Sequence, residues 1–594
     1  MDPIPKDVKS IPRLLAIWED YRKWLFLSLL LTIGGAVGML AVPALSQTMI
    51  NDGIMVGDMS VVFRYGGYMI ALTLVSAACM VANTLLAVKF SEWTSHYLRT
   101  RAYDHIQDLS FSNLDRLRPG DLLVRLTSDI QNVKIAIQQG ILNLPLVPVM
   151  LIITVLLFAV RSPSLIGLMI ALLIIFTIIL AAYLWIVLPA FTVRQERYDE
   201  MNNALQENMA GVRVVKAFVR QHLENERFSG HAGGVRAASL RAQTSIAIMI
   251  PTMLLVVNLS LAAIFFLGGK EVLLGTGFST GEVIASIQYL FLLIMPFTIL
   301  GTVLPAISAA RPSLARIFAV IDTTADVQDR PGAVSPSEVK GRVVFDRVSF
   351  GFRNADGGTG PLVLDDISFV AEPGQTIGIL GPTGSGKSTL VNLIPRFYDV
   401  TGGSITLDGT DIRQIPQETL RGLIGICLQQ PNLFFGTIRE SLLFATRDAS
   451  EENLIASAEA ADADGFIRNI PRGYDDAVAR HGANFSGGQR QRMVIARTLA
   501  ADPKVLILDD STSACDVATE ARIQDAINQR FSAVTKILVA QRISTVIAAD
   551  RILLLENGKI IASGTHEELL RTSVQYREIY DSQLGQGITG SRAT

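Results

Sequence analysis

Six long stretches of this chain contain no Asp, Glu, Lys or Arg, and they constrain its fold more than any other feature. Each is longer than the roughly 20 residues that a helix needs to cross the apolar core of a bilayer. A buried helix of a soluble protein rarely runs this far without a charge, and six such runs together argue against a soluble core. The sequence therefore predicts six membrane-spanning helices, at Leu25–Ile50, Tyr65–Val88, Ile135–Val160, Ser162–Val193, Ala242–Gly269 and Val283–Ala310.

The overall composition fits a chain that lies largely in a membrane. Of the 594 residues, 49% are hydrophobic and only 18% are charged, and the mean hydropathy is +0.38. A soluble protein of this size normally carries more charge. The net charge of −2 gives no basic field that would attract nucleic acid. Cys79, Cys427 and Cys515 show neither disulfide nor metal-ligand spacing, so we expect three buried thiols.

Basic residues between the charge-free runs indicate which side of the membrane each connection faces. The segment between the second and third runs holds seven Lys and Arg residues, and the segment between the fourth and fifth holds eight. The other three connections hold one each: Arg64, Arg161 and Lys270. Because positively charged loops stay in the cytosol, the two long connections and both termini are predicted to be cytosolic. The predicted location is the plasma or inner membrane of the cell, which the chain crosses several times.

The character of the sequence changes after the sixth run. Residues 322–340 are rich in Asp, Thr, Pro and Ser, which is typical of a linker. From Gly341, short β-branched runs alternate with glycine-rich turns and amphipathic helices, a pattern that predicts an α/β domain. Near the N-terminus, Leu14, Leu15 and Trp18 share one helical face, which favours a helix on the membrane surface. The predicted domains are this interfacial helix at 1–24, a six-helix membrane domain at 25–320, a linker at 321–340, an α/β domain at 341–584 and a flexible tail at 585–594.

A glycine-rich loop gives the strongest chemical signal in the second half of the chain. It follows the apolar run Thr376–Leu380 and precedes the helical run Leu390–Phe397, which is the context that a phosphate-binding loop requires. Its glycines let backbone N–H groups surround phosphate oxygens, Lys387 places a positive charge at the β- and γ-phosphates, and Ser388 offers a hydroxyl to Mg²⁺. We therefore predict that ATP and Mg²⁺ bind at this loop, which consists of Gly381, Pro382, Thr383, Gly384, Ser385, Gly386, Lys387, Ser388 and Thr389.

A second apolar run ends in a carboxylate. Residues 505–508 read Val-Leu-Ile-Leu, and Asp509 follows them directly. Many strands end in Asp, so this feature alone would indicate little. Downstream of a phosphate-binding loop, however, it predicts that Asp509 holds Mg²⁺ and its water shell.

Between these two motifs lies the run Asn-Phe-Ser-Gly-Gly-Gln-Arg-Gln-Arg at 484–492. It closely resembles the LSGGQ signature motif of the ABC transporter family. A Ser hydroxyl and two glycine N–H groups at the start of a helix also form an anion site on physical grounds. The resemblance implies that two such domains hold two ATP molecules between them, so that dimerisation is part of the mechanism. The residues that would cap the γ-phosphate of ATP bound to the opposite subunit are Ser486, Gly487, Gly488 and Gln489.

The resemblance extends over almost the whole chain and implies roles for further residues. Phe352 matches the aromatic residue that stacks on adenine in the family. Gln429 matches a glutamine that contacts Mg²⁺ and senses the membrane domain. The run Ser-Ala-Cys-Asp at 513–516 matches the D-loop, which places Asp516 among the residues of the catalytic site.

The layout of six spans with two long cytosolic loops resembles the exporter branch of the family. In that branch, short coupling helices lie at the loop tips, which correspond here to Ser112–Arg118 and Gly211–Phe218. The implied fold is a polytopic α-helical membrane domain of six transmembrane helices, fused to a cytosolic α/β P-loop ATPase domain of ABC type.

Two residues depart from the family pattern at the catalytic positions. The family has Glu directly after the Asp of the second strand, where it polarises the attacking water, and this chain has Asp510. The family has His at the switch position, and this chain has Gln541. The shorter Asp withdraws its carboxylate by roughly 1–1.5 Å, and misplacement of that order costs about 100-fold in rate. Gln can neither relay a proton nor carry positive charge. The pair predicts a site that binds ATP but hydrolyses it poorly; a slower but competent homodimer is the alternative.

This pattern resembles the degenerate half of heterodimeric ABC multidrug exporters, whose partner half-transporter keeps the catalytic Glu and the switch His. We predict an ATP-hydrolysing exporter of amphipathic or hydrophobic compounds, either drugs or lipids, because its spans lack charge. Two alternatives stay open: an ATP-gated regulatory or channel-like membrane subunit, and an importer with the exporter fold. ATP-dependent flux into sealed inside-out vesicles would distinguish them.

Overall fold

The structure, a computed structural model, describes residues 10–161, 166–274, 279–336, 338–354, 358–446 and 449–584. The described residues form two compact units. The first unit consists of the described residues within Met1–Gln107 and Gly120–Asp322. The second consists of those within Asp108–Pro119 and Thr323–Thr594. The predicted tail at 585–594 and the first nine residues of the predicted interfacial helix lie outside the described part of the chain.

Long helices build the first unit. Six helical segments of the described chain are long and apolar enough to cross a membrane, which confirms the predicted six-helix membrane domain. The first four residues of the predicted fourth span, 162–165, lie outside the described residues. Two π-helical turns, Met49–Ile54 and Arg125–Asp129, interrupt the segments. The α-helices up to the end of this unit are α1 (Ser10–Ile17), α2 (Arg22–Thr48), α3 (Met59–Asp108), α4 (Phe111–Arg116), α5 (Pro119–Val124), α6 (Ile130–Asn143), α7 (Leu146–Arg161), α8 (Ile166–Ala217), α9 (Gln221–Leu274) and α10 (Thr280–Ile321).

Three of these helices are much longer than a membrane is thick. α3, α8 and α9 have 50, 52 and 54 residues, and at 1.5 Å per residue a helix of that length measures about 80 Å. The apolar core of a bilayer accounts for about 30 Å. α8 continues to Ala217, and the chain turns only at 218–220, where Val219 has a φ of 54°. The second expected coupling helix is therefore the end of α8 and not a separate short helix of the described residues.

Buried polar side chains join α2 and α3 inside the apolar unit. Asn83 Oδ1 accepts a hydrogen bond from Ser28 Oγ at 2.6 Å, and Asn83 Nδ2 donates to Thr32 Oγ1 at 3.0 Å. A buried polar group without a partner is costly. These three residues therefore specify how the two helices face each other.

The short helix α1 packs back onto the long helices. Leu14 is buried, and the indole ring of Trp18 lies edge-to-face against Phe90 of α3, with the ring centroids 4.9 Å apart. Leu15 of the same turn is 54% exposed. Two of the three residues of the predicted apolar face thus pack against protein, and the third is more than half exposed.

Two main sheets and ten helices make up the described part of the second unit after residue 322. A six-stranded sheet has the order β12-β11-β3-β10-β9-β6, a four-stranded antiparallel sheet has the order β2-β1-β4-β5, and β7 pairs with β8. The strands are β1 (Val343–Arg353), β2 (Thr359–Ala371), β3 (Thr376–Leu380), β4 (Gly402–Leu407), β5 (Thr410–Asp411), β6 (Ile424–Cys427), β7 (Gly436–Thr437), β8 (Ala477–Val478), β9 (Val505–Asp509), β10 (Thr535–Ala540), β11 (Arg551–Glu556) and β12 (Lys559–Gly564). The helices are α11 (Lys387–Leu393), α12 (Gln417–Leu423), α13 (Ile438–Leu442), α14 (Glu451–Ala460), α15 (Asp464–Arg468), α16 (Gly487–Ala500), α17 (Val517–Arg530), α18 (Ile543–Val546), α19 (His566–Thr572) and α20 (Val574–Leu584).

The centre of the six-stranded sheet places three loops at one edge. β3, β10 and β9 are adjacent and parallel, and their residues are buried on both faces. The carboxyl ends of adjacent parallel strands meet at the same edge, which is where open α/β sheets bind ligands. The loops that follow Leu380, Asp509 and Ala540 therefore converge, and the predicted α/β domain is confirmed.

The short helix α4 is part of the second unit. The ring of Phe111 stacks on Phe397 with 4.2 Å between centroids. Tyr398 Oη donates to Asp115 at 2.7 Å, and Ser112 Oγ donates to Asp326 at 2.6 Å. This helix lies where the sequence predicts the first coupling helix.

Candidate functional site

The glycine-rich loop between β3 and α11 has the backbone geometry of an anion site. Gly386 has a φ of 100°, and a Cβ there would lie 2.8 Å from the Leu364 side chain, so only glycine fits. α11 begins at the next residue, Lys387. The first N–H groups of a helix have no partner inside it, so those of α11 are available to phosphate oxygens.

Lys387 is held in the loop by backbone carbonyls. Its Nζ donates to the carbonyl oxygens of Gly381 at 2.7 Å and Pro382 at 2.8 Å. Burial lowers the pKa of Lys387, and the charges of two nearby carboxylates oppose this shift. Ser385 Oγ is buried with no hydrogen-bond partner in the described part of the chain. A buried hydroxyl and a desolvated ammonium group beside unpaired N–H groups fit a phosphate chain.

The next residue faces the end of β9. Ser388 Oγ donates to Asp509 Oδ1 at 3.1 Å. Burial raises the pKa of Asp509, although the hydrogen bond from Ser388 and the charge of Lys387 lower it. A hydroxyl and a carboxylate are oxygen ligands of the kind that Mg²⁺ prefers, and this ion usually takes few protein ligands because phosphates and water supply the rest. Ser388 and Asp509 would therefore hold Mg²⁺, which would neutralise phosphate charge there.

The residue after Asp509 contacts both glutamines of the predicted site. Gln541 Nε2 donates to Asp510 Oδ2 at 3.3 Å. Burial raises the pKa of Asp510, while a hydrogen bond from Gln429 lowers it. Asp510 itself has a φ of 49°, in the left-handed region that few residues other than glycine adopt. The Gln541 carboxamide thus occupies one of the acceptor positions of the Asp510 carboxylate.

These residues line one cavity of about 310 Å³ at the edge of the sheet. Its wall is formed by the phosphate-binding loop, the ends of β9 and β10 and the segment after β6. The structure thus brings Lys387, Ser388, Gln429, Asp509 and the Asp510–Gln541 pair together. The full lining is Val363, Thr383, Gly384, Gly386, Lys387, Ser388, Thr389, Gln429, Asp509, Asp510, Val539, Ala540 and Gln541.

Phe352 does not line this cavity. It is 42% exposed, and its ring lies 5.0 Å from Phe350 and 5.4 Å from Tyr398 between centroids. It belongs to a separate cavity of about 270 Å³ that Tyr398 and Ser112 also line. Its predicted role in adenine stacking stays a prediction.

The signature run also lies apart from the cavity. Ser486 is the N-cap of α16: its Oγ accepts from Gln489 N at 3.2 Å, and Gln489 Oε1 accepts from Ser486 N at 2.9 Å. Ser486 is exposed, and Gly487 and Gly488 are partly exposed. Because this helix start is open to solvent, its backbone N–H groups can bind an anion that belongs to another chain.

The signature helix is tied to the D-loop through a residue for which the sequence indicates no role. Gln491 is 4% exposed; its Oε1 accepts from Ala514 N at 2.9 Å, and its Nε2 donates to Ser513 Oγ at 3.3 Å. A Cβ on Gly488 would lie 3.0 Å from the Ala514 carbonyl oxygen. The D-loop therefore passes directly over the signature glycine.

Asp516 ends the D-loop and is the N-cap residue of α17. Its carboxylate accepts from Thr519 N at 2.9 Å and from Thr519 Oγ1 at 2.8 Å. The backbone hydrogen bond from Thr519 lowers the pKa of Asp516. Within this chain Asp516 acts as a helix cap, and its predicted catalytic role stays a prediction.

Comparison with known proteins identifies the family. Residues 25–297 match the family described as ABC transporter transmembrane region, and residues 364–513 match the family described as ABC transporter. The uncharacterized ABC transporter ATP-binding protein YfiB of Bacillus subtilis is 33% identical, over 96% of this chain and 98% of YfiB. The chain belongs to the ABC transporter family.

Two further similarities specify which type of ABC transporter it is. The ATP-dependent lipid A-core flippase of Syntrophus aciditrophicus is 32% identical, over 88% of this chain and 86% of the flippase. The solved structure of a bacterial Atm1-family ABC exporter with ATP bound superposes with a TM-score of 0.77 and 26% identity, over 95% of this chain and 98% of that one. This ABC transporter is an exporter-type half-transporter, with one membrane domain and one ATPase domain in a single multi-pass chain.

Proposed function

We propose that this ABC half-transporter works as the degenerate half of a heterodimeric exporter of amphipathic or hydrophobic compounds. The observation that carries the proposal is the hydrogen bond between Gln541 and Asp510 beside the phosphate-binding loop. In this arrangement the side chain at the catalytic position is one methylene shorter than Glu, and its carboxylate already accepts a hydrogen bond from a carboxamide. It is poorly placed to accept a proton from water, and Gln541 cannot relay one.

ATP binding at this site should nevertheless be strong. Lys387 and the start of α11 bind phosphate, and Ser388 with Asp509 provides for Mg²⁺. All of these groups are in place, although Asp510 and Gln541 are poorly suited to hydrolysis. The site in this chain would therefore hold ATP for long periods and stabilise the closed dimer without turning over quickly.

The productive site of the proposed dimer would be composite. Ser486, Gly487 and Gly488 lie outside the cavity of their own chain, and the helix start they form is intact and exposed. They would face the γ-phosphate bound to the partner, whose catalytic Glu and switch His would carry out hydrolysis. Closure of the two ATPase domains would then pull on the membrane domains.

The membrane domain favours cargo without strong charge. The charge-free spans provide no ionic partner for a strongly anionic compound. A similar protein is named an ATP-dependent lipid A-core flippase, and a lipid of that kind is amphipathic. We propose export across the plasma or inner membrane, with the ATPase domain in the cytosol.

The test is transport by the purified pair in sealed inside-out vesicles. The expected result is ATP-dependent uptake of a fluorescent amphipathic tracer into the vesicles. Uptake that needs ATP binding but not hydrolysis would indicate the gated-channel alternative, and ATP-driven efflux from preloaded vesicles would indicate an importer.

Replacing Asp510 with Glu should raise ATP hydrolysis by the heterodimer less than about twofold. The longer side chain would restore the reach of a catalytic base. In the heterodimers that this chain resembles, however, the partner has an altered signature motif, which would still leave the γ-phosphate at this site without its cap. Steady-state ATPase assays measure the effect. Asp510→Asn is the control and should also change little, because this site contributes little turnover. A several-fold gain for Asp510→Glu would mean that the short carboxylate is the only defect.

Replacing Phe111 with Ala should reduce transport more than ATP hydrolysis. The substitution removes the ring that stacks on Phe397. Such an aromatic pair contributes about 0.5–1.5 kcal/mol in addition to the free energy of burying its apolar surface. We expect vesicle uptake to fall several-fold while ATP affinity stays within about twofold. Phe111→Tyr keeps the ring and serves as the control. Equal losses of uptake and hydrolysis would show that the contact only supports folding.

A further inference from the structure

The turn that carries Gln541 is held by a residue of the C-terminal helix. Gln583 of α20 donates from Nε2 to the Gln541 carbonyl oxygen at 3.0 Å, and its Oε1 accepts from Ile543 N at 2.8 Å. One carboxamide therefore pairs with two backbone groups that are two residues apart, as a neighbouring β-strand would. Only an amide side chain supplies a donor and an acceptor in this arrangement.

The backbone groups that Gln583 pairs with lack a local partner of the usual kind. α18 begins at Ile543, and its N-cap residue Arg542 makes no side-chain capping bond. The N–H groups in the first turn of a helix have no carbonyl partner within the helix and need a side chain, water or ligand. Gln583 thus serves as a cap supplied from a distant part of the chain.

The helix that presents Gln583 is firmly anchored. Tyr576 of α20 is fully buried, and its hydroxyl lies 2.8 Å from His566 Nδ1. Ile579 packs against the same apolar core that contains Ile543 and Val546 of α18. Gln583 lies one to two turns further along this helix, so the packing of Tyr576 and Ile579 fixes the position of its backbone.

The consequence of this contact falls on the ATP site. The backbone of Gln541 is fixed from one side by Gln583, and its side chain reaches Asp510 on the other. Both Gln541 and Asp510 line the phosphate cavity, whereas Gln583 does not. Gln583 and Gln541 also line a neighbouring cavity of about 480 Å³ together with three residues of the phosphate-binding loop. The hydrogen bond to the Gln541 backbone is the contact through which Gln583 would act on the phosphate cavity.

We propose that Gln583 is a positioning residue that keeps Gln541 directed at the terminal phosphate of ATP in this chain. The proposal rests on the proposed ATP site at the phosphate-binding loop, whose cavity Gln541 also lines, so that its side chain would add a contact to the γ-phosphate. It predicts that Gln583 matters for nucleotides that have a γ-phosphate and not for those that lack one, because only the former reach the switch residue.

The test compares two nucleotides on the full-length chain in nanodiscs. Dissociation constants of the ATP analogue AMP-PNP and of ADP, each with Mg²⁺, are measured by calorimetry. Gln583→Leu should weaken AMP-PNP binding about three- to tenfold, as expected for the loss of one or two neutral hydrogen bonds, and leave ADP binding within about twofold. Gln583→Glu keeps the acceptor for Ile543 N–H but loses the donor, so it should give an intermediate loss.

Two controls separate positioning from general stability. Ser582→Ala changes the preceding residue of the same helix and should leave both affinities unchanged. In the Gln541→Ala background, Gln583→Leu should have no further effect on AMP-PNP binding, because its route to the site is gone. Equal losses for both nucleotides, or an undiminished effect in that background, would overturn the proposal. A wild-type chain that binds neither nucleotide would overturn the proposed ATP site itself, and with it this inference.

Discussion

Replacing Ser486 with Arg should abolish ATP hydrolysis and transport by the assembled heterodimer. Ser486 caps α16 and is exposed at the helix start, where the partner's γ-phosphate would approach. A long charged side chain would occupy that position and prevent closure. Loss of a well-placed transition-state donor alone typically costs about 100- to 1,000-fold in rate, and blocked closure should cost at least as much.

The matched substitution is Lys387→Ala, which should leave a measurable fraction of both activities. Lys387 belongs to this chain's own phosphate-binding loop and would therefore serve the proposed degenerate site. Its removal should weaken nucleotide occupancy where little hydrolysis occurs, and the partner's site would continue to turn over. ATPase and uptake assays on both variants, each with the wild-type partner in nanodiscs or vesicles, measure the difference. In a symmetric transporter the two variants would be comparably inactive, and that result would refute the degenerate assignment.

Much of the fold is determined by patterns that act over short distances in the sequence. A charge-free run of more than 20 residues has few alternatives to a membrane span, because each backbone polar group in lipid must be paired within the helix. The phosphate-binding loop is equally constrained, since Gly386 must adopt a φ of 100° where a Cβ would contact Leu364. Such features can be recognised one residue at a time. They account for the confirmed six-helix domain and for the confirmed α/β ATPase domain.

The contacts that the sequence did not indicate join residues that are far apart in the chain. Gln491 and Gln583 each pair a carboxamide with a distant backbone group, and the polarity of a glutamine alone does not reveal such a partner. No local pattern distinguishes such a glutamine from a solvated one. The second expected coupling helix has a different explanation: residues 211–217 remain in α8 although Gly211 and the three valines after it have low helix propensity, so tertiary context overrides the local signal.

Phe352 is a site residue whose predicted role the phosphate cavity does not test, because its ring lies outside that cavity. Its position in the sequence matches the adenine-stacking aromatic, yet its ring packs between Phe350 and Tyr398. β1 extends to Arg353 and pairs with β2 as far as Thr359, which keeps Phe352 within the strand. An aromatic ring gains more from contact with two other rings than from exposure to water. Because 42% of Phe352 is exposed, adenine could still reach the ring where it stands, and the stacking role stays a prediction.

Purified without its partner, this chain should bind ATP but hydrolyse it slowly. Two copies would form two equivalent sites, each with Asp510 against Gln541, and each would lack a well-placed base. Since misplacement of a catalytic group by about 1 Å costs about 100-fold in rate, we expect turnover to rise by about that factor when the cognate half-transporter is co-expressed. The measurement is steady-state ATPase activity per dimer, for the chain alone and for the co-purified pair.

The interpretation of that measurement depends on a nucleotide-binding control. The chain alone should bind ATP with Mg²⁺ normally, because Lys387, Ser388 and Asp509 are all present. Normal binding with slow turnover would locate the defect in the chemical step and not in folding or occupancy. Full, transport-coupled ATPase activity from the chain alone would show that a short carboxylate and a glutamine suffice for catalysis in this cavity, and the half-transporter would then be a homodimer.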